Sequence, residues 1–117
     1  MSGKVYEGTR DGAWVVGVTV DGQKLFNYDK YGDPKNGFEW GYGGGGPYAL
    51  ALSILSDHYD IEPYADPFAH DSHLYRRVQQ FKEEVVAHLP RSAGFILTSE
   101  KIAEWIANYE SASRTPT

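Results

Sequence analysis

The sequence predicts an α+β domain in which an antiparallel sheet comes first and helices follow. Two Asp-Gly pairs, Asp11-Gly12 and Asp21-Gly22, separate runs of alternating residues near the N-terminus, which is typical of β-hairpins. Beyond residue 46, apolar residues instead recur at helical spacing. An order of strands, then helices, with one short late strand, favours a sheet whose helices pack on one face.

Three N-terminal strands are predicted, at residues 4–10, 13–20 and 23–28. They form an antiparallel meander because short turns join them. In the middle strand, alternation places a uniformly apolar set of residues on one face and Val15, Gly17 and Thr19 on the other. The apolar set consists of Trp14, Val16, Val18 and Val20.

A loop and a further strand are predicted before the first helix. Residues 29–37 are rich in Gly, Pro, Asp and Asn, which is typical of a surface loop. Phe38, Trp40 and Tyr42 then alternate, and this alternation predicts another short strand. The meander is therefore expected to contain three to four strands.

The first of about three predicted helices opens at Pro47. Proline suits the first turn of a helix because its missing N–H would have no helical partner there. The helix is expected to run to about residue 59 and to be the most buried element. Its apolar side chains are Leu50, Ala51, Leu52, Ile54 and Leu55.

The second helix follows a connector at residues 61–69 that contains two prolines. Asp71 or Ser72 suits its N-cap, and Pro90 is expected to end it. Its apolar residues follow a single helical stripe. They are Leu74, Val78, Phe81, Val85 and Leu89.

A short late strand at residues 94–97 and a last helix complete the predicted domain. Thr98 suits the N-cap of this helix. The apolar side of the helix carries Ile102, Trp105, Ile106 and Tyr109. One domain is expected over residues 1–110, with residues 111–117 as a flexible C-terminal tail.

Composition narrows the classes of function. The 117 residues carry a formal net charge of -5 and no cysteine. Negative charge disfavours general binding to nucleic-acid phosphates, whereas a basic partner fits it. No segment has a signal peptide's apolar core or the roughly 20 apolar residues of a membrane span. The sequence therefore predicts a cytoplasmic protein without disulfides and without membrane contact.

The most distinctive segment lies at the start of the first helix and contains Gly43, Gly44, Gly45 and Gly46 in succession. Backbone N–H groups at a helix start attract anions, so these glycines, with Arg10 as a cation, could hold a phosphate compound. Glycine is equally the residue for a sharp structural bend. The sequence leaves both interpretations open.

Two known phosphate motifs do not fit this segment. Gly41, Gly43 and Gly46 have the spacing G-x-G-x-x-G, but Asp60, at the expected distance, follows no apolar strand, which excludes a Rossmann site. Pro47-Tyr48 stand where a phosphate loop needs Lys and then Ser or Thr.

Metal binding and catalysis lack a convincing residue pattern. His70 and His73 are the only closely spaced histidines, and they straddle a predicted helix start. No H-E-x-x-H zinc motif and no G-x-S-x-G nucleophile motif occurs. We therefore expect no metal site, no cofactor and no enzymatic activity.

Aromatic residues crowd around the glycine segment. Tyrosine beside glycine is typical of protein-binding surfaces, because stiff amphipathic side chains supply contact area at low entropic cost. With Asp29, Asp33 and Glu39 nearby, the segment is suited to a basic protein surface. The tyrosines concerned are Tyr31, Tyr42 and Tyr48, beside Tyr28.

The glycine segment also carries a family resemblance. The pattern F-x-W-G-Y-x-G-x-G-P-x-x-L-A-L-x-I-L begins at Phe38 and ends at Leu55. In this pattern the chain resembles a small domain family of unknown function found in bacteria, archaea, phages and other mobile elements. Further likenesses are Tyr6-x-Gly8-x-Arg10 and Leu97-Thr98 before Trp105, and Phe95 stands where tryptophan is expected. The family implies no catalytic residues.

These observations lead to two hypotheses of function. The first is a non-enzymatic interaction protein of a phage or mobile element, binding a host or phage protein or nucleoprotein complex through residues 31–48. The mobile-element setting implies, as its sharpest version, an inhibitor of a host defence system such as an anti-CRISPR. The alternative is a small-ligand domain that binds a nucleotide or another phosphate compound at the glycine segment.

Overall fold

The computed structural model describes residues 3–29, 37–60 and 72–114, the last range with side chains from 76 to 110. The loop predicted at 29–37 and the connector at 61–69 lie almost wholly outside the described residues. A short 3₁₀ helix, Val86–His88, follows the second α-helix. The other elements are β1 Val5–Asp11, β2 Trp14–Val20, β3 Gln23–Lys24, α1 Gly45–Tyr59, α2 Ser72–Glu84, β4 Phe95–Thr98 and α3 Ser99–Arg114.

The strands form one antiparallel sheet in the order β3-β2-β1-β4. The late strand β4 pairs with β1, so the first and last strands of the chain lie side by side. In β1, Tyr6 and Gly8 are buried, whereas Val5, Glu7 and Thr9 are exposed. The predicted α+β class, with an N-terminal meander, three helices and a late strand, is confirmed.

The strand predicted at residues 38–42 is wrong. Trp40 is fully buried, and the N–H of Gly41 donates to the Val86 carbonyl at 2.9 Å instead of to a neighbouring strand. Gly41 also has a φ of 88°, which breaks an extended chain. The aromatic alternation therefore reflects side-chain packing of an irregular segment.

The third strand is shorter than predicted. β3 contains only Gln23–Lys24, although the N–H of Leu25 still donates to the Val18 carbonyl at 3.0 Å. Beyond this point the chain leaves the sheet, because the N–H of Tyr28 donates to the Ser53 hydroxyl of α1 at 2.9 Å.

A bulge changes the faces predicted for β2. The register shifts so that Thr9 pairs with Gly17 and Arg10 with Val15, which leaves Val16 without a partner in β1. Val15 packs against the core with Val18, whereas Trp14 and Val16 are 80% and 68% exposed. The prediction that Trp14 and Val16 lie on the same face as Val18 and Val20 is therefore wrong.

Helix α1 forms the centre of the core. It begins at Gly45 and ends at Tyr59, where Asp60 adopts a left-handed conformation with φ of 57°. A helix that is buried on all sides needs apolar or small residues throughout, and α1 has them. Its buried residues are Pro47, Ala49, Leu50, Ala51, Leu52, Ser53, Ile54, Leu55 and Ser56, which confirms the predicted burial.

Helix α2 ends earlier than predicted. It stops at Glu84 instead of near Leu89, and the 3₁₀ helix follows. Val86 is fully buried, and its carbonyl accepts from Gly41 outside the helix. In an α-helix continued to Pro90, the Val86 carbonyl would face the Pro90 nitrogen, which has no N–H to donate. In the 3₁₀ helix it accepts instead from the N–H of Leu89 at 3.2 Å. Asp71, a predicted cap, lies outside the described residues.

The C-terminal elements match the prediction closely. The Thr98 hydroxyl accepts from the N–H of Lys101 at 3.2 Å, which confirms the predicted cap of α3. Ile102 is fully buried, and the Trp105 ring meets Phe81 of α2 edge-on at 5.1 Å. The helix continues past residue 110 to Arg114, and the flexibility of residues 111–117 stays a prediction.

Two glycines on opposite faces of the first hairpin offer a test of this packing. A β-carbon at Gly8 would lie 2.6 Å from Phe95 Cδ2 and 2.8 Å from Trp40 Cη2, whereas one at Gly17 meets no atom within 4 Å. We expect Gly8→Ala to lower the free energy of unfolding by about 1–3 kcal/mol through overpacking. Gly17→Ala should leave it unchanged or raise it by about 0.5–1 kcal/mol. Chemical denaturation measures both, and equal effects would contradict the assigned faces.

Candidate functional site

The glycine segment starts α1 without a side-chain cap. Residues 41–44 form bends, and Gly44 is the N-cap, with its carbonyl accepting from the N–H of Tyr48 at 3.0 Å. The first turn of α1 contains no acidic residue. Pro47 has no N–H, so Gly45 and Gly46 supply the backbone donors of the first turn.

Arg10 and Glu39, two predicted site residues, bind each other. Arg10 Nη2 lies 2.8 Å from Glu39 Oε1 and donates to the Trp40 carbonyl at 3.2 Å. The guanidinium carbon also lies 4.3 Å from the centre of the Trp40 ring. Only 4% of the Arg10 side chain is exposed. Arg10 therefore ties β1 to the segment before α1, and its charge is already balanced.

The glycines of this segment divide into two groups by their surroundings. A β-carbon at Gly41 would lie 2.6 Å from the Arg91 Cα, and one at Gly46 would lie 2.7 Å from the Glu39 Cβ. At Gly43 and Gly45 a β-carbon would meet no atom within 4 Å. Close packing therefore explains Gly41 and Gly46, and it does not explain Gly43 or Gly45.

The predicted tyrosines do not form one described surface. Tyr42 is 39% exposed, and the Arg91 guanidinium lies 5.7 Å from its ring centre. A β-carbon at Gly44 would contact the same ring at 3.0 Å. Tyr48 is partly buried and packs against the core. Tyr31 and Asp33 lie outside the described residues.

The described ranges contain neither a metal-binding cluster nor a membrane-spanning helix. Within residues 3–29, 37–60 and 72–114, no three His, Asp or Glu side chains converge in a metal-binding arrangement. The side chains of His70 and His73 lie outside the described set. Across the same described ranges, none of the helices has the length and apolar character needed to traverse a bilayer.

A polar cluster at the other end of α1 ties that helix to β1. The Tyr6 hydroxyl donates to Asp57 Oδ2 at 2.6 Å, and Lys4 Nζ lies 3.1 Å from the same oxygen. Burial and the hydrogen bond to the carboxylate raise the pKa of the Tyr6 hydroxyl, so it stays protonated and continues to donate. Beside this cluster, burial and the Lys4 charge lower the pKa of His58.

An uncovered sheet face is the feature that sequence reasoning missed. Val5, Glu7 and Thr9 of β1 point away from the core, and Ile96 of β4, which pairs with Glu7, is 69% exposed. Trp14 adds a large apolar side chain at the hairpin end. We call this surface the outer sheet face. Its residues are Val5, Glu7, Thr9, Asp11, Trp14, Val16, Gly17, Thr19, Lys24, Ile96 and Thr98.

One sequence signal pointed toward this face. The stretch Trp14–Val20 has apolar residues at both odd and even positions, so the sequence pattern does not indicate which face of the strand is buried. A strand with two apolar faces either lies between two layers or exposes one of them.

The lowered pKa of His58 predicts a loss of stability in acid. Because its folded-state pKa lies below the ordinary value of 6.5, its contribution is present above pH 6.5 and is lost as the pH falls through the lower folded-state value. We expect the free energy of unfolding to fall more between pH 7.5 and 5.5 in the wild type than in His58→Gln. Denaturation at both pH values measures the difference, and an equal fall would contradict the prediction.

Comparison with known proteins identifies a family. No curated protein and no solved structure matches the chain. The family model for a family of unknown function, DUF6166, matches residues 6–108. This range runs from β1 into α3 and takes in the glycine segment and most of the outer sheet face. The setting in phages and mobile elements stays a prediction, whereas the resemblance to a family of unknown function is confirmed: the chain belongs to DUF6166.

Proposed function

We propose that this protein is a non-enzymatic interaction protein that binds another protein through its outer sheet face. The observation that carries the proposal is the exposure of three apolar side chains there. Trp14, Val16 and Ile96 are 80%, 68% and 69% exposed. Exposed apolar side chains grouped on one face, with polar residues between them, are typical of protein-binding surfaces.

Trp14 is the expected anchor of this interaction. A tryptophan buries about 150–250 Å² when it is covered, and tryptophans are enriched among the residues that dominate binding energy. At Trp14 this area is already presented to solvent at the end of a hairpin, so a partner can cover it without reorganising the core. Ile96 and Val16 supply the surrounding apolar area.

The charged residues of the outer sheet face indicate which kind of partner it would bind. Glu7 lies between Ile96 and Thr19 in the sheet register, and Asp11 lies opposite Trp14. The two carboxylates outnumber Lys24, which pairs with Thr19 on the same face, and with the net charge of -5 on the whole chain they favour a partner with Lys or Arg near an apolar patch. The more specific hypothesis, an inhibitor of a host defence complex, rests on the mobile-element setting that the sequence resemblance implies.

The outer sheet face replaces the glycine segment as the centre of the proposed surface. Around the glycines, the charges of Arg10 and Glu39 are engaged with each other, and Tyr48 packs inward. Tyr42 is the exposed aromatic side chain of that segment among the described residues. It serves below as the matched comparison for Trp14.

Affinity capture with single variants tests which surface is used. We expect wild-type protein, immobilised and exposed to lysate of its native host, to retain a partner that Tyr42→Ala also retains. Trp14→Ser should bind that partner about 30-fold more weakly, which corresponds to about 2 kcal/mol. Titration of the purified partner measures the affinities.

The capture has one control and two outcomes that would contradict the proposal. As the control, thermal unfolding must show that both variants keep the wild-type fold. We expect this of Trp14→Ser because Trp14 is exposed and its replacement removes no core contact. A partner lost in Tyr42→Ala and kept in Trp14→Ser would place binding at the glycine segment instead. Capture of no protein by any form would count against an interaction protein.

A second candidate function is binding of a nucleotide or another phosphate compound at the start of α1. It is supported by Gly43 and Gly45, whose open surroundings leave room for a ligand to approach the backbone. Two observations weigh against it. Arg10 is paired with Glu39, so its charge is already balanced, and the Glu39 Cβ would lie 2.7 Å from a β-carbon at Gly46, which leaves little room for a ligand beside that glycine.

Thermal unfolding with inorganic phosphate and with ATP tests this second candidate. We expect neither compound to change the unfolding temperature. A ligand present at 100 times its dissociation constant would add about 2.7 kcal/mol to the free energy of unfolding. A stabilisation of that size in the wild type that is absent from Gly43→Ala would favour the phosphate-binding function.

A further inference from the structure

The two edges of the sheet differ in how they are protected. The β3 edge is two residues long and carries Lys24, and a short, charged edge resists pairing with other strands. The β4 edge has the sequence Phe-Ile-Leu-Thr, with neither charge nor proline nor bulge. Its sequence therefore has high β-propensity and, apart from its length, none of the usual protection against strand addition.

The hydrogen-bond alternation of β4 leaves Ile96 available for a further strand. The N–H of Ser99 donates to the Lys4 carbonyl at 2.8 Å, which makes this a hydrogen-bonded position of the β1–β4 ladder. Because such positions alternate in antiparallel pairs, Tyr6–Leu97 is hydrogen-bonded and Glu7–Ile96 is not. The N–H and carbonyl of Ile96 therefore point to the open edge, away from β1.

A cleft opens at the start of β4, between that strand and β1. Its volume is about 490 Å³, and it lies where Gly94 passes close against the carbonyl of Gly8 at the start of β4. Glu7 contributes a carboxylate to it, and Ile96 contributes the exposed apolar side chain. The lining residues are Glu7, Gly8, Thr9, Arg10, Gly94, Phe95 and Ile96.

We propose that the partner binds by adding an extended segment to the β4 edge, with a basic side chain of that segment placed in the cleft against Glu7. This inference rests on the proposed function and specifies its geometry. Main-chain hydrogen bonds to Ile96 give affinity, and the side chains of the segment on the same face as Glu7 and Ile96 give selectivity. Because residues i and i+2 share a face of a strand, the occupant is an extended peptide with Lys or Arg two positions from a β-branched or aromatic residue.

Charge argues against a second copy of this chain as the occupant. Two copies joined at β4 would each bring a net charge of -5, with each Glu7 one strand in from the shared edge. The repulsion between the net charges of the two copies disfavours the pairing, whereas a basic segment is attracted. A dimer in solution is therefore one of the outcomes that would overturn the proposal.

Selection from a display library of random linear peptides of about twelve residues tests strand addition without knowledge of the natural partner. The target is the full chain. We expect the selected peptides to share a basic residue two positions from a β-branched or aromatic residue. They should bind Ile96→Pro about tenfold more weakly than Ile96→Thr, because both variants lose the isoleucine and only proline loses the outward N–H.

Hydrogen exchange gives a second measurement in case Ile96→Pro is destabilised. In the free wild-type protein the Ile96 amide should exchange faster than the Leu97 amide, which is bonded in the ladder. A selected peptide should slow exchange at Ile96 in particular. Unchanged exchange at Ile96 in a saturated complex would overturn the proposal whatever the proline variant does.

The remaining outcomes separate this inference from the proposed function. Peptides that bind both Ile96 variants equally, together with a natural partner that depends on Trp14, would mean face-to-face docking without strand addition. Failure to select any peptide, or a dimer whose formation is lost in Ile96→Pro, would also overturn strand addition by a basic partner. If the captured partner bound Trp14→Ser as tightly as the wild type, that result would instead contradict the proposed function itself.

Discussion

The buried indole of Trp40 is the contact on which the rest of the arrangement depends. Its ring meets Phe95 of β4 edge-on at 4.8 Å, and the Arg10 guanidinium of β1 lies over it at 4.3 Å. Its Nε1 donates to the Ala93 carbonyl at 2.9 Å. One side chain therefore joins two neighbouring strands to the segment that leads into α1. The ring fits because Gly8 has no side chain there.

This dependence on one aromatic residue explains which parts of the fold could be predicted. Short-range sequence patterns were sufficient for features that depend on residues close together in the chain. These features are the two Asp-Gly turns, the cap at Thr98 and the apolar helix α1. The strand predicted around Trp40 was wrong because its alternation is set by long-range packing. Alternation of apolar residues does not distinguish a side chain that is buried in a β-strand from one that is buried in an irregular segment.

The candidate surface could be predicted less well, and the reason lies in the bulge of β2. Alternation assigned Trp14 to the same face as Val18, and one extra residue at Val16 moved Trp14 to solvent. A shift of one residue inverts every assignment beyond it. By contrast, the partnership of Arg10 with Glu39 joins residues that are distant in the chain, so composition suggested two binding groups where the structure has an ion pair.

The outer sheet face lacks the uniformly polar composition that is usual when helices cover only the opposite face of a sheet. When helices cover one side of an antiparallel sheet, the other side is normally polar, and β1 follows this rule at Glu7 and Thr9 but not at Val5, which is 40% exposed. The flanking strands break it with Trp14 and Ile96, which lie on either side of those polar residues. Neither side chain stabilises the isolated domain by burial, since both remain in water. Residues that cost solubility and add no core contact are expected where a partner supplies the missing layer.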